Sequence, residues 1–182
     1  MSKTWREIYW MDPSGLRFET INMFTLRCTQ KLLDRIRPVP ELPAPPTTKL
    51  GDWYCNLLDV RPGPLVLCMS EHTFLCTLIP LDYFKRRPDV MADCVALLLQ
   101  RHGIPSAAVE AERVEMGRFQ YGKTASRRVL GCLNDALYIA SAEFQTADRI
   151  VTIEDVLAKN IYTANKYKDP VTAARVVLGL VQ

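Results

Sequence analysis

One eight-residue segment matches the phosphate-binding loop of nucleotide hydrolases. Residues 117–124 read Gly-Arg-Phe-Gln-Tyr-Gly-Lys-Thr, which fits the pattern G-x-x-x-x-G-K-T. In such a loop the glycines let backbone N–H groups surround the phosphates, while the lysine reaches the outer phosphates and the threonine holds Mg²⁺. Taken alone, the segment predicts a nucleotide site.

The surroundings of this segment argue against a nucleotide hydrolase. A phosphate loop normally follows a buried, apolar parallel strand. Residues 109–116 instead alternate weakly and carry Glu110, Glu112 and Glu115, which predicts a half-exposed strand. The sequence after Thr124 is also too short for the further βα units of that fold, which need about 30 residues each. We therefore expect the match to be accidental.

The helix predicted from Thr124 to about Phe144 has two contrasting sides. Apolar residues recur at a spacing that places them on one side, which predicts a core-facing stripe. That stripe consists of Leu130, Leu133, Leu137, Ala140 and Phe144. The other side collects polar residues, a glycine and a tyrosine, namely Thr124, Arg127, Arg128, Gly131, Asn134, Asp135 and Tyr138.

This polar side has two interpretations. It is either a solvated helix face with local pairing of the Arg128–Asp135 kind, or a site for an anion or a partner. Lys123, Arg127 and Arg128 lie beside a helix N-terminus, whose dipole adds positive potential. Gly131 costs the helix about 1 kcal/mol relative to alanine, which indicates that something approaches the backbone there.

Four segments resemble a family of small bacterial proteins described as a domain of unknown function. They read MFTLRCTQKLL from Met23, LGDWYCNLL from Leu50, SEHT from Ser70 and GKTASRRVLGCLND from Gly122. The resemblance covers about residues 23–180, and the family pattern is K-T-x-x-R-x-V-L-G-x-x-N-D. It implies no activity. It does imply a shared polar signature, made of Lys123, Thr124, Arg127, Gly131, Asn134 and Asp135.

The remaining sequence predicts the elements that position this helix. Three short strands at about 52–60, 65–69 and 74–79 are joined by turns, which predicts an antiparallel meander. A strand ending near Arg27 and the strand at 109–116 complete the set. We therefore expect an α+β fold with a mixed, largely antiparallel sheet of about five strands, packed against two long helices at about 81–101 and 124–144.

One domain is expected over residues 23–182, with residues 1–22 as an N-terminal extension and a proline-rich connector at 38–48. Lys and Arg outnumber Asp and Glu by only 23 to 20, so net charge does not indicate nucleic-acid binding. The longest apolar runs are far shorter than the roughly 20 residues of a membrane span. We expect a cytoplasmic protein.

The cysteines lie singly in apolar stretches, without a C-x-x-C motif. This pattern predicts buried thiols in a reducing compartment. Cys68 and Cys76 flank a turn, so a pairing across a hairpin stays open as the alternative. With only two histidines in the chain, we expect no metal site, and no cofactor is predicted.

Two functions compete. The first is a non-catalytic binding module, a regulatory or antitoxin-like protein of mobile-element or defence systems, that holds a protein partner or a nucleic-acid phosphate on the polar helix face. The second is an enzyme acting on a phosphate-bearing or nucleic-acid substrate, in which Lys123 and Arg127 stabilise developing negative charge and Asp135 acts as base or metal ligand. Asp52 and Glu71 are the further carboxylates expected nearby. No recognised nucleophile motif is present, which favours the binding module.

We predict that a chain beginning at Met23 folds without residues 1–22. The family-like sequence begins there, and the turn signal Asp-Pro-Ser-Gly at 12–15 separates the extension from it. Thermal unfolding followed by circular dichroism should show one cooperative transition. An insoluble product, or one without a transition, would place the aromatic extension inside the core.

Overall fold

A five-stranded sheet forms the centre of the fold in a computed structural model, which describes residues 23–181 apart from Pro40, Pro43, Asp148 and Tyr167. The predicted extension at 1–22 therefore lies outside the described residues. The strands are β1 (Phe24–Cys28), β2 (Trp53–Leu58), β3 (Leu65–Ser70), β4 (Cys76–Pro80) and β5 (Phe119–Lys123). Their order across the sheet is β4-β3-β2-β1-β5.

Seven α-helices and one short 3-10 helix accompany the strands in the described residues. The α-helices are α1 (Gln30–Ile36), α2 (Leu81–Arg86), α3 (Val90–Arg101), α4 (Ser106–Glu115), α5 (Arg127–Glu143), α6 (Ile150–Lys159) and α7 (Pro170–Val177). The 3-10 helix spans Thr163–Asn165. Within the described part of the chain, no helix has the length and apolar character needed to cross a membrane.

The predicted α+β class and the number of strands are confirmed, and β2, β3 and β4 form the predicted antiparallel meander. The expectation of a largely antiparallel sheet is wrong. β1 pairs in parallel with both of its neighbours, β2 and β5, so the sheet is mixed. The parallel pairs arise because long connections containing helices join β1 to β2 and β4 to β5, and such crossovers return the chain in the same direction.

Two predicted elements differ from the observed ones. Residues 109–116, predicted as a strand, belong largely to α4, because Val109, Glu112 and Met116 are buried at helical spacing. The strand lies instead at β5, inside the segment that matches a phosphate loop. The long helix predicted over 81–101 is two helices, α2 and α3, interrupted at Arg87–Asp89 around Pro88. The helices are therefore not all long.

Both faces of the sheet are buried. On one face the first core lies mainly against α1, α2, α3, α4 and α7, with Trp53 and Leu26 fully buried at its centre. On the other face the second core lies against α5 and α6, with Tyr54 and Met69 fully buried. Since successive residues of a strand point to opposite faces, alternate residues of β2 and β3 serve the two cores.

The two edges of the sheet are covered by polar groups. At β4, the Oε1 atom of the buried Glu154 accepts hydrogen bonds from Leu78 N at 2.9 Å and Thr77 Oγ1 at 2.7 Å. Its Oε2 atom accepts from Arg101 at 2.9 Å. At β5, the backbone N–H of Glu41 donates to Tyr121 O at 3.0 Å, so the proline-rich connector lies along this edge. Unpaired edge groups would otherwise invite pairing with other chains.

All six cysteines are free thiols, and five of them are buried. Cys68 pairs with Thr77 and Met69 with Cys76, so Cys68 and Cys76 point to opposite faces of the sheet and cannot form a disulfide. Cys55 and Cys68 lie opposite each other in β2 and β3, with their sulfur atoms 3.3 Å apart. Burial raises the pKa of the Cys55 thiol well above its usual value, which keeps it protonated.

Glu154→Ala should destabilise the protein by about 2 to 5 kcal/mol. The change leaves the Leu78 N–H and the Thr77 hydroxyl buried without an acceptor and removes the partner of Arg101. Glu110→Ala is the matched control, because its side chain is 62% exposed and should change stability by less than about 0.5 kcal/mol. Urea unfolding followed by circular dichroism measures both. Equal stabilities of the two variants would contradict the role of Glu154.

Candidate functional site

The sheet fixes the point at which α5 begins. The hydroxyl of Tyr54, a residue of β2, accepts a hydrogen bond from Ser126 N at 3.1 Å. Ser126 is the N-cap residue, and its side chain accepts from Val129 N at 3.4 Å. The helix therefore starts at Arg127, three residues after the predicted start at Thr124.

The buried side of α5 overlaps the predicted core stripe but is rotated from it. Leu133 and Ala140 are fully buried, as predicted. The predicted Leu130, Leu137 and Phe144 are only partly buried at the margin of the second core. Smaller residues complete the buried side, namely Val129, Cys132 and Ala136.

The opposite side of α5 presents a straight line of exposed residues to solvent. Arg127, Gly131, Asn134 and Tyr138 are separated by four, three and four positions, a spacing that stacks them along one face. We call these four residues the α5 stripe. All four are exposed, and Tyr138 is 80% exposed. The stripe is thus a convex surface and not a cleft.

Gly131 is not required by any contact within the chain. A Cβ atom built on this residue would meet nothing within 4 Å. Its backbone is helical, so no positive φ demands glycine either. The described fold therefore gives no internal reason for a glycine at the centre of the stripe.

The two charged residues beside the stripe differ in their surroundings. Arg128 donates to Ala164 O at 3.2 Å, and its guanidinium carbon lies 5.4 Å from the centre of the Phe74 ring. These contacts attach α5 to the loop after α6 and to the β3–β4 hairpin. Asp135 is exposed, and among the described residues it forms no ion pair, so the expected Arg128–Asp135 pairing is absent there.

Lys123 and Thr124 do not join the α5 stripe. Lys123 is the last residue of β5 and pairs with Cys28 of β1. Phe119 and Tyr121 pack against the first core, and strand alternation places Lys123 on that same side, away from α5. Thr124 is half-buried in the turn that follows. The proposed polar signature is therefore divided between two faces of the sheet.

The phosphate-loop pattern also takes an extended conformation. Residues 119–123 pair with β1 from Phe24–Phe119 to Cys28–Lys123. Backbone groups that are aligned in a parallel ladder cannot curl around a phosphate. This geometry agrees with the interpretation of the sequence match as accidental.

Two partly buried polar pairs that involve β1 and β2 could not be assigned from the sequence. Arg27 Nε donates to Asp52 Oδ2 at 2.7 Å, while Asp52 Oδ1 accepts from Thr25 N at 2.8 Å. Asp52 is fully buried, so this carboxylate has a structural role that joins β1 to the start of β2. The only sequence signal was the charged residue Arg27 within a strand of mainly apolar residues.

The second pair links Tyr54 to Glu71. The Tyr54 hydroxyl donates to Glu71 Oε1 at 3.4 Å while it accepts from Ser126 N. Burial, and then the charge of Glu71, raise the pKa of Tyr54, so its hydroxyl stays protonated and keeps donating. Of the two carboxylates expected near the site, Glu71 therefore helps to position the start of α5 through Tyr54, whereas Asp52 joins β1 to the start of β2.

The groups on the polar side of α5 are better placed to bind a ligand than to catalyse a reaction on it. Arg127 and Asp135 are eight residues apart on α5, a separation of about 12 Å along the axis. No group of three or more His, Cys, Asp or Glu side chains in the described residues could hold a metal ion. The groups assigned to the α5 face therefore do not converge on one reacting atom.

Comparisons with known proteins give a family but no activity. A family model with the description "Domain of unknown function (DUF6933)" matches residues 25–173. The matched range runs from β1 into α7 and includes the whole sheet and α5. No curated protein and no solved structure matches the chain.

Substitutions on the two sides of α5 should separate in stability. Leu133→Ala removes a fully buried side chain and should cost about 2 to 5 kcal/mol. Arg127→Ala and Asn134→Ala change exposed side chains and should cost less than about 0.5 kcal/mol each. Chemical denaturation of the three variants measures the difference. If the polar variants unfold as readily as Leu133→Ala, the stripe is a structural network.

Proposed function

The chain belongs to the family DUF6933, and we propose that it is a non-catalytic binding module that holds an acidic segment of a partner protein on the α5 stripe. One observation carries the proposal. Four residues of mixed chemistry form a straight exposed line, and a glycine lies at its centre with open space above it. Glycine lowers helix stability relative to alanine, so a helix face that contacts only solvent would not favour it at this position.

Gly131 supports close approach by a partner. Without a Cβ atom, the helix lets another backbone come nearer at this point than at any neighbouring position. Arg127 lies one turn before Gly131, and Tyr138 lies about two turns after it. A segment crossing Gly131 therefore meets a cation on one side and an aromatic ring on the other, two residue types that are enriched at interfaces.

The charges favour an acidic protein segment over a nucleic acid. Arg127 is exposed and forms no ion pair with the described residues, and the helix dipole adds to its positive potential. Farther along α5 the charged residues are Asp135 and Glu143. A nucleic-acid backbone needs cations along its whole path. Positive charge confined to the first turn suits one or two carboxylates.

The enzyme hypothesis has less support. It assigned Lys123, Arg127 and Asp135 to one reaction, but Lys123 lies on the other side of the sheet by strand alternation. Burial raises the pKa of the Cys76 and Cys132 thiols near α5, so neither is an activated nucleophile. These observations supply no group that could form a covalent intermediate.

A photo-crosslinking amino acid at position 134 tests the proposal in the source cells. The same amino acid at Leu97, which is 62% exposed on α3, is the control position. We expect position 134 to capture a defined protein with an acidic segment, and position 97 not to capture it. Crosslinks to nucleic acid, identical products from both positions, or no product would contradict a protein partner for the stripe.

The captured partner then allows affinities to be compared with purified proteins. Arg127→Glu and Gly131→Trp should each weaken binding at least tenfold, about 1.4 kcal/mol, because one reverses the charge and the other blocks close approach. Arg118→Glu is the matched control, since Arg118 is exposed at the start of β5. Unchanged affinity for both stripe variants would exclude the stripe as the contact surface.

A further inference from the structure

A groove of about 380 Å³ lies at the end of the sheet where β2 turns into β3. The turn at Val60–Leu65 forms one wall. The connection between α5 and α6 forms the other wall with Phe144, Ala147 and Ile150, and Pro80 and Leu81 complete the lining. None of these residues belongs to the α5 stripe, so the groove is a separate feature.

The lining of the groove combines an apolar interior with a charged rim. Most of the lining side chains are apolar, and the charged ones are Arg61, Asp82 and Arg149. Arg61 and Arg149 are exposed. Among the described residues, neither side chain has an ion pair or a hydrogen bond. Among the described lining residues, two guanidinium groups against one carboxylate give the rim a net positive charge.

The walls are held in place before any ligand arrives. Pro62, Pro64 and Pro80 each fix a backbone φ angle around the groove. Leu81 N donates to Pro64 O at 3.0 Å, and this hydrogen bond joins the Pro80–Leu81 part of the lining to the turn at Val60–Leu65. A preformed, mostly apolar concavity of this volume lies within the range of small-molecule sites, about 300 to 1,000 Å³.

We propose that this groove binds a small amphipathic anion, with an apolar body and one carboxylate or similar head group. The apolar body removes the groove walls from water, and this burial of apolar surface stabilises the complex. The head group then pairs with Arg61 or Arg149 at the rim, as guanidinium groups pair with planar oxyanions. The Asp82 carboxylate on the same rim disfavours a second acidic group on the ligand. This ligand site goes beyond the partner-binding face of α5.

Decanoate is the probe, titrated by calorimetry below the concentration at which it self-associates. Decyltrimethylammonium, which has an apolar chain of the same length and a cationic head, is the matched ligand. We expect saturable binding of one decanoate per chain, at least tenfold tighter than binding of the cation. Absence of saturable decanoate binding, or equal binding of the two amphiphiles, would overturn the proposal.

Matched variants locate the site. Ala147→Trp fills the groove and should reduce decanoate affinity at least tenfold, whereas Ala142→Trp on the exposed side of α5 should leave it unchanged. Arg149→Ser should weaken decanoate and not the cation, and Arg118→Ser should affect neither. Thermal melts confirm that each variant is folded. Decanoate affinity unchanged in both Ala147→Trp and Arg149→Ser would place the ligand elsewhere and refute the assignment.

A measurement on the unaltered protein covers the case in which Ala147→Trp does not fold. Methyl NMR signals of Val60, Leu65 and Ile150 should shift on addition of decanoate, while the exposed Leu97 serves as reference. Shifts confined to the groove support the proposal. Shifts of equal size at Leu97, or none at the groove, reject it.

Discussion

Burial of the sheet on both faces is the constraint on which the rest of the structure depends. Each strand side chain then has to pack in one of two cores. Each buried backbone N–H or C=O group at an edge needs a hydrogen-bond partner from the protein, because water does not reach it. Glu154 supplies that partner at β4, and the proline-rich connector supplies it at β5. Inside the sheet, the buried carboxylate of Asp52 joins β1 to the start of β2. Carboxylate oxygens and a backbone N–H group thus complete a sheet whose interior is almost entirely apolar.

The same constraint determines what α5 can offer to a partner. Its inner side is committed to the second core, and its start is fixed by Tyr54, whose hydroxyl connects Glu71 to the Ser126 backbone. The exposed residues of the α5 stripe do not pack in either core. Arg127, Gly131 and Asn134 can therefore be selected for binding without affecting the core, and this independence is what we expect of a recognition surface on a rigid element.

Prediction succeeded where a local pattern reports directly on a buried surface. The meander was visible because short apolar runs were separated by turn residues, and the two sides of α5 were visible because its polar and apolar residues repeat with helical period. Prediction failed at α4, where the weak alternation of residues 109–116, which include Glu110, Glu112 and Glu115, resembled a strand. The acidic Glu112 is buried there because its carboxylate accepts backbone hydrogen bonds from Lys49 and Leu50, a contact more than sixty residues away in sequence.

The sequence by itself determined the class of the fold, four of the five strands and the existence of an amphipathic helix with a polar side, because each depends on residues close together in the chain. Only the tertiary structure decided the parallel pairing of β1 with β2 and β5, the roles of Asp52, Glu71 and Glu154, and the separation of Lys123 from Arg127. Strand pairing is set by where crossover connections return the chain, and a buried carboxylate is defined by distant donors. A local sequence pattern contains neither kind of information.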